Sequence, residues 1–210
     1  MDANTPIWGL LLAAGRGARF GCQKHEIELG GVPLWRHSER ALLEGGVERL
    51  LVVGDLDGAV PGGDRRRDSV ASGLAAISDH SGYVLIHDAA RPLVTPDLVR
   101  TVIGRLLVDD VAGVVPVVPV RDTLKRVAGE FVVETVDRAD LVAVQTPQGF
   151  SLEALRAAHA VAGGDATDDA SMVEAAGGTI AVVDGDPANL KVTYPEDLAV
   201  ADALRSGRHG

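Results

Sequence analysis

An apolar run that halts in a glycine-spaced basic loop constrains this chain more tightly than any other stretch. Residues 10–24 read LLLAAGRGARFGCQK. From 7 to 13 the chain is continuously apolar, the pattern of a strand covered on both faces in a parallel sheet. Gly15, Gly17 and Gly21 then let the backbone take positive φ and approach a ligand closely, so that bare N–H groups face anionic oxygens. Arg16, Arg19 and Lys24 add fixed positive charge. The dinucleotide fingerprint G-x-G-x-x-G does not fit, because the third glycine falls one place late, and a Walker A loop would need Gly-Lys-Ser/Thr, which is absent. The stretch reads as a strand delivering a phosphate-binding loop, with an ordinary strand-to-helix turn as the plain alternative.

Strands and helices alternate through most of the remaining length. Apolar spacing at Leu34, Ser38, Ala41 and Leu42 predicts a helix over 34–45, stopped by Gly45-Gly46, and 49–53 (RLLVV) a second strand. The glycine-rich connection 54–64 leaves little room for a helix. Asp68-Ser69 reads as the N-cap of a helix through Ile77, and the arginine run 65–67 before it as a solvated turn. A third strand, 83–87, ends in Asp88-Ala89-Ala90-Arg91-Pro92, Thr95-Pro96 opens a helix to about Val108, and 113–118 is a fourth strand. Two short alternating runs, 122–127 and 131–135, meet at a glycine turn as a β-hairpin. Residues 141–145 return to the sheet and Thr146-Pro147-Gln148 forms that strand's end. Helices over 152–161 and 167–176, the second started by Thr167/Asp168, lead to strands at 179–183 and 190–192 and a last helix from Tyr194 through Leu204. The order favours an α/β sandwich with a mainly parallel sheet, whose ligands sit beyond the carboxyl ends of the strands. The segments AAGRGAR, DAARP, TPQ and NLKVT are thereby expected to converge on one cleft.

Net charge of −10 argues against general nucleic-acid affinity, so the basic residues that matter must act locally. One cysteine, Cys22, excludes an intramolecular disulfide and fits a reducing compartment. With neither a leader pattern nor an apolar run of membrane-spanning length, the expectation is a cytoplasmic chain that binds no membrane.

An anion cleft needs positive charge on phosphates, an acid for a divalent cation and a grip on the second reactant. Arg19 and Lys24 are candidates for the first role. Asp88 is the candidate for the second, with a turn or capping role as the alternative. Arg91, Arg138 and Lys191 are candidates for the third, each otherwise a surface ion-pair partner. No Ser-His-Asp order, H-E-x-x-H pair or Cys/His metal spacing supports hydrolytic or zinc chemistry. His25 and His87 read as packing or turn residues.

From Leu12 to Leu204 the combination resembles the 2-C-methyl-D-erythritol 4-phosphate cytidylyltransferases of the non-mevalonate isoprenoid pathway. The matching stretches are AAGRGAR (13–19), GGDRRRDSV (62–70), HDAARPLV (87–94), VRDTLKRV (120–127), VDRADL (136–141), QTPQGF (145–150), TDDASMVEA (167–175) and NLKVTYPEDLAVA (189–201). Each alone is weak; together, in the family's order, they are specific. The resemblance implies a Rossmann-like three-layer sandwich with a mainly parallel mixed sheet, one nucleotidyltransferase domain with a β-hairpin arm at about 120–140. It implies attack of methylerythritol phosphate on the α-phosphorus of CTP, with Mg²⁺ as cofactor. By the same resemblance Arg19 and Lys24 stabilise the triphosphate during attack, and Ala13, Ala14, Gly15 and Gly17 line its phosphates. Gly63, Asp64 and Ser69 match the cytosine-reading segment, Asp88 sits beside the Mg²⁺, and Arg91 and Lys191 hold the alcohol phosphate. Thr123 and Arg138 match arm residues that complete the neighbouring subunit's site, so the implied enzyme is a homodimer. A lone hairpin is marginal in water, which makes exchange with a twofold partner a physical reason for such an arm.

The chain departs from the family's usual pattern at Leu12, where a proline is common, at Gln23-Lys24-His25, and in the short connection 54–62. Two alternatives stay open at this level: transfer to another alcohol phosphate such as ribitol phosphate, and a nucleotide-binding protein without catalysis.

Overall fold

A computed structural model describes residues 5–14, 27–161 and 168–207. The apolar strand β1 (Ile7–Leu12) is central to the main sheet. A two-residue pair, β2 (Glu28–Leu29) and β3 (Val32–Pro33), precedes helix α1 (Leu34–Glu44) and β4 (Arg49–Val53). Then come α2 (Arg66–Ala76), β5 (Tyr83–Asp88), α3 (Pro96–Val108) and β6 (Gly113–Pro119). The hairpin is β7 (Leu124–Ala128) and β8 (Phe131–Val136); β9 (Val142–Val144) and β10 (Gln148–Ser151) follow. Helices α4 (Leu152–Val161) and α5 (Asp169–Ala175), β11 (Ile180–Asp184) and α6 (Pro195–Gly207) complete the order.

In the main sheet the strands run β11-β6-β10-β5-β1-β4, with β9 also paired to β6. Strand β1 is parallel to both neighbours, and Leu12 lies opposite Val53 on one side and Asp88 on the other. Strand β10 is antiparallel between β5 and β6, which makes the sheet mixed. The expectation of an α/β sandwich with a mainly parallel sheet therefore holds.

Alternation along β1 explains the two covering layers. Leu10 points into a cluster with Val70, Leu74, Phe150, Leu155 and Val173, under α2, α4 and α5. Leu11 enters the opposite cluster with Leu42, Leu85, Leu98 and Val99, under α1 and α3. A smaller cluster of Leu29, Leu34, Leu93, Val192 and Ala201 seats α6. No helix of the described residues is long and apolar enough to cross a membrane.

The structure corrects several boundaries. Helix α2 begins at Arg66, not after Asp68-Ser69, because Asp68 works from the third helical position and reaches back to accept the Arg65 backbone N–H at 3.3 Å and its Nε at 2.9 Å. Residues 190–192 form no strand: Val192 donates to the Ala90 carbonyl at 2.7 Å while its side chain is buried with α6. The sequence reading also lacks β10: it takes Thr146-Pro147-Gln148 as the end of the preceding strand, whereas Gln148 begins a strand of its own. By contrast, the Thr95 hydroxyl accepts from Leu98 N–H at 3.2 Å, as its place before Pro96 requires. Asp168 likewise caps α5, accepting Ser171 N–H at 3.0 Å, while Thr167 lies outside the described residues.

The hairpin forms its own two-stranded sheet instead of folding back on the main one. Gly129, at φ 58°, opens its two-residue loop, the position that a type II′ turn gives to glycine. Val127 is 62% and Phe131 76% exposed, so the hairpin buries little of its own apolar surface.

Across the β6–β10 pair, Phe150 lies opposite Gly113, and its ring fills the space a side chain there would take. A Cβ on Gly113 would sit 2.5 Å from Phe150 Cδ1. Gly113→Ala is expected to cost about 1–3 kcal/mol by overpacking, and Phe150→Ala about 3–5 kcal/mol by leaving a cavity. Combined as a double variant they should cost less than their sum, measured by urea denaturation.

Candidate active site

Two strand ends, those of β1 and β5, set the floor of one cavity. Strand β1 ends beside Val53 of β4 and Asp88 of β5, and the chain continues as Ala13-Ala14, with Ala13 N–H donating to the Val53 carbonyl at 2.8 Å. A cavity of about 330 Å³ opens there, lined by Ala13, Ala14, Gly63, Asp64, Ser69, Asp88 and Lys191 together with Arg65, Arg66 and Trp35. Seven residues singled out from the sequence thus share one wall system. Gly15, Gly17, Arg19 and Lys24 lie outside the described residues.

One wall is built by the loop before α2. Ser69, buried in the first turn, accepts the Gly63 N–H at 3.1 Å and donates to the Arg65 carbonyl at 3.3 Å, which folds the loop over the helix start. Gly62 has no room for a side chain, since a Cβ would stand 2.4 Å from that of Ala14. The 62–64 loop and Ala14 are in direct contact for that reason.

Opposite lies a charged chain of side chains. Asp88 accepts from Arg66 Nε at 3.1 Å on one oxygen and from Lys191 Nζ at 2.7 Å on the other. Arg66 also donates through Nη1 to Asp169 at 2.6 Å. Burial alone would push the Asp88 carboxyl up, but the Arg66 guanidinium and then the Lys191 ammonium outweigh it and hold the group well below the usual carboxylate range. For Arg66 burial works against the charge, and the Asp169 and Asp88 carboxylates more than offset it. Asp88 is thus a fixed anion and Arg66 a fixed cation. The reading of residues 65–67 as a solvated turn is corrected here: they open α2, and Arg66 faces the cavity. Arg66 and Asp169 carried no assigned role in the sequence, although both fall within matched stretches.

Arg91 follows the same strand end but engages backbone. Its Nη1 donates to the Asn189 carbonyl at 2.8 Å, its Nη2 to the Val144 carbonyl at 3.5 Å, and burial lowers its pKa. Thr123 and Arg138 do not line the cavity of their own chain. They lie on the exposed hairpin segment, where Arg138 donates to the Val120 and Arg121 carbonyls.

Beneath Asp88 sits His87, wholly buried. Its Nε2 is 3.3 Å from the Arg91 carbonyl and its Nδ1 3.0 Å from the Thr146 hydroxyl, which itself accepts the Asp88 N–H at 3.2 Å. The carbonyl can only accept, so Nε2 carries the proton and Nδ1 accepts from Thr146. His87 is therefore a neutral structural brace, and burial pushes its pKa down to about 4. Its folded value lies below the ordinary 6.5, so the unfolded chain takes up a proton that the folded chain refuses. That contribution is fully present above about pH 6.5 and is lost as the pH falls toward about 4. Between pH 7 and 4.5 the wild type should lose on the order of 2 kcal/mol more stability than His87→Gln, read from urea denaturation at the two pH values.

A family model described as IspD, 2-C-methyl-D-erythritol 4-phosphate cytidylyltransferase, matches residues 7–206. The chain is 43% identical to the bifunctional enzyme IspD/IspF of Nitratidesulfovibrio vulgaris, covering 93% of this chain but 57% of that protein's length. It is 40% identical to the 2-C-methyl-D-erythritol 4-phosphate cytidylyltransferase of Rhodococcus jostii, with 99% of both chains covered. Among solved structures, the 2-C-methyl-D-erythritol 4-phosphate cytidylyltransferase of Thermus thermophilus superposes with a TM-score of 0.78 at 36% identity, covering 94% of this chain and 98% of that one.

Proposed function

The chain belongs to the IspD, or 2-C-methyl-D-erythritol 4-phosphate cytidylyltransferase, family, and from that premise we propose that it transfers CMP from CTP to 2-C-methyl-D-erythritol 4-phosphate. A phosphate oxygen of the alcohol phosphate attacks the α-phosphorus of CTP, the bond to the β-phosphate breaks, and pyrophosphate leaves as 4-diphosphocytidyl-2-C-methyl-D-erythritol forms. One observation carries the reading: Ala13-Ala14 with the 62–65 loop and Ser69 on one side, and Asp88 with Lys191 on the other, border the same cavity at the carboxyl ends of β1 and β5.

In this reading Ala13, Ala14, Gly15 and Gly17 cradle the triphosphate, and Gly63, Asp64 and Ser69 recognise cytosine. The Ser69 hydroxyl, already committed to the Gly63 and Arg65 backbone, acts chiefly by holding that loop in shape. Arg19 and Lys24 stabilise the charge that builds during attack, and no covalent intermediate on the chain is needed. Lys191 grips the alcohol phosphate, which requires it to exchange Asp88 for that phosphate. Arg91 steadies the 189–191 segment through the Asn189 carbonyl.

Asp88 fits a role beside Mg²⁺, an ion that leans on one or two carboxylates plus substrate phosphates. Among the described residues no group of three or more His, Cys, Asp or Glu offers a protein-only cage, so a single carboxylate shared with the nucleotide suits the donor set. Bound there, Mg²⁺ would neutralise phosphate charge.

The active unit is a homodimer in this proposal, with Thr123 and Arg138 of each arm completing the partner's alcohol-phosphate site. The exposed apolar side chains of the arm, Val127, Phe131, Val132 and Val133, support it, since such a surface is usual only where a partner covers it. The lone cysteine fits a cytoplasmic setting.

A coupled pyrophosphate assay with CTP, Mg²⁺ and either methylerythritol phosphate or ribitol phosphate tests the reading; turnover of ribitol phosphate alone would replace the substrate. Arg19→Ala or Lys24→Ala should each lower kcat by about two orders of magnitude, the loss of roughly 3 kcal/mol of transition-state stabilisation. Mixing inactive Lys24→Ala and Arg138→Ala chains should restore roughly a quarter of wild-type activity, because half the dimers are mixed and each carries one intact site. No recovery despite confirmed subunit exchange would rule out a shared site.

A further inference from the structure

Two carboxylates flank the Arg66 guanidinium, and only one of them borders the cleft. Nε donates to Asp88 Oδ1 at 3.1 Å and Nη1 to Asp169 Oδ2 at 2.6 Å. The Asp169 side chain is 0% exposed. Its placement is carefully fixed: Asp168 caps α5 by accepting Ser171 N–H at 3.0 Å and is tied to β10 by Gln148 Nε2 at 2.9 Å. From α4, His159 Nε2 stands 3.4 Å from Asp169 Oδ1.

A carboxylate withdrawn from water this completely is costly, and an apolar residue of similar size would fill the space without that cost. Its position makes sense in terms of what Arg66 does next. The two cations on Asp88 differ in kind. Lys191 brings a compact charge on a flexible stem with its side chain 43% exposed, whereas Arg66 brings a planar fork clamped at its far end by Asp169. One partner is free to leave and the other is not.

We propose that Asp169 is a positioning residue for nucleotidyl transfer, acting through Arg66 to fix the rotation of the Asp88 carboxylate. Oδ1 stays bound to Arg66, and Oδ2 is the atom presented to the cleft once Lys191 moves to the incoming phosphate. Without the clamp, Arg66 swings and the carboxylate turns with it. The inference rests on the cytidylyltransferase reading above and assigns within it a role to a side chain that touches neither substrate.

The test is a double-mutant cycle with two readouts. Asp169→Asn keeps the size and removes the charge; its folding is checked by thermal melting. By turnover, it should lower kcat about 10- to 100-fold while the KM for CTP changes less than about threefold, and in an Asp88→Asn background its further effect should shrink below about twofold. By calorimetry of CTP binding with and without Mg²⁺, Asp169→Asn should reduce the Mg²⁺-dependent gain in affinity in the wild-type background and leave it unchanged in the Asp88→Asn background. If Asp169→Asn does not fold, Arg66→Lys replaces it, since lysine keeps the charge but cannot bridge both carboxylates, and the same outcomes are expected. Additive losses in the two backgrounds, or wild-type kcat with wild-type Mg²⁺ dependence, would overturn the positioning role. If the wild-type chain releases no pyrophosphate from CTP and methylerythritol phosphate, the functional reading fails, and the calorimetric cycle still decides whether Asp169 acts through Asp88.

Discussion

The Asp88 carboxylate, held between Arg66 and Lys191, is the interaction around which the cleft is organised. It stands at the carboxyl end of a buried strand, where an uncompensated charge would be strongly unfavourable. Compensation comes from far away in sequence: Arg66 from the start of α2 and Lys191 from the segment before α6. Three separate lengths of chain are thereby drawn to one point. The pairs are partly buried, so their attraction is screened less than that of surface pairs. Folding and site assembly are coupled here, because α2, which helps to bury Leu10, also delivers Arg66 to Asp88.

That local clustering reconciles an acidic chain with the proposed anionic substrates. The sequence has 30 acidic and 20 basic residues, yet Arg65, Arg66 and Lys191 border one cavity of about 330 Å³. Charge at such a place acts through proximity and a partly dehydrated environment, not through net charge. Most of the surface can remain negative without opposing it.

What could be read from the residues alone follows from the kind of signal each element carries. Strands β1 and β5 announce themselves by unbroken apolar runs, α3 by a threonine cap before proline, and the hairpin by alternation around Gly129. Asp88 and Lys191 stood out because both fall in segments expected at strand ends, and the structure joins them at 2.7 Å. Arg66 stayed hidden because an arginine triplet looks solvated until a buried carboxylate from residue 169 is placed against it. Strand β10 was missed since Pro147 stands immediately before it and Gly149 usually weakens a strand, whereas here Gly149 lets the backbone pass close to Val102 and Leu106 of α3. Leu190 and Val192 misled in the opposite direction: their apolar character serves the cluster beneath α6, not a ladder of hydrogen bonds.

The hairpin is not hung on the sheet at its margin. Its first strand follows β6, and the chain comes back as β9, paired antiparallel to that same strand. The next two residues, Gln145 and Thr146, bind the Asp186 backbone, His87 and Asn189, and Thr146 receives the Asp88 N–H. Root of the arm and bed of the Asp88 carboxylate are one continuous piece of backbone. Between the hairpin's outer tip and the Asp88 amide, the run of backbone is interrupted by a single side-chain joint, the Thr146 hydroxyl.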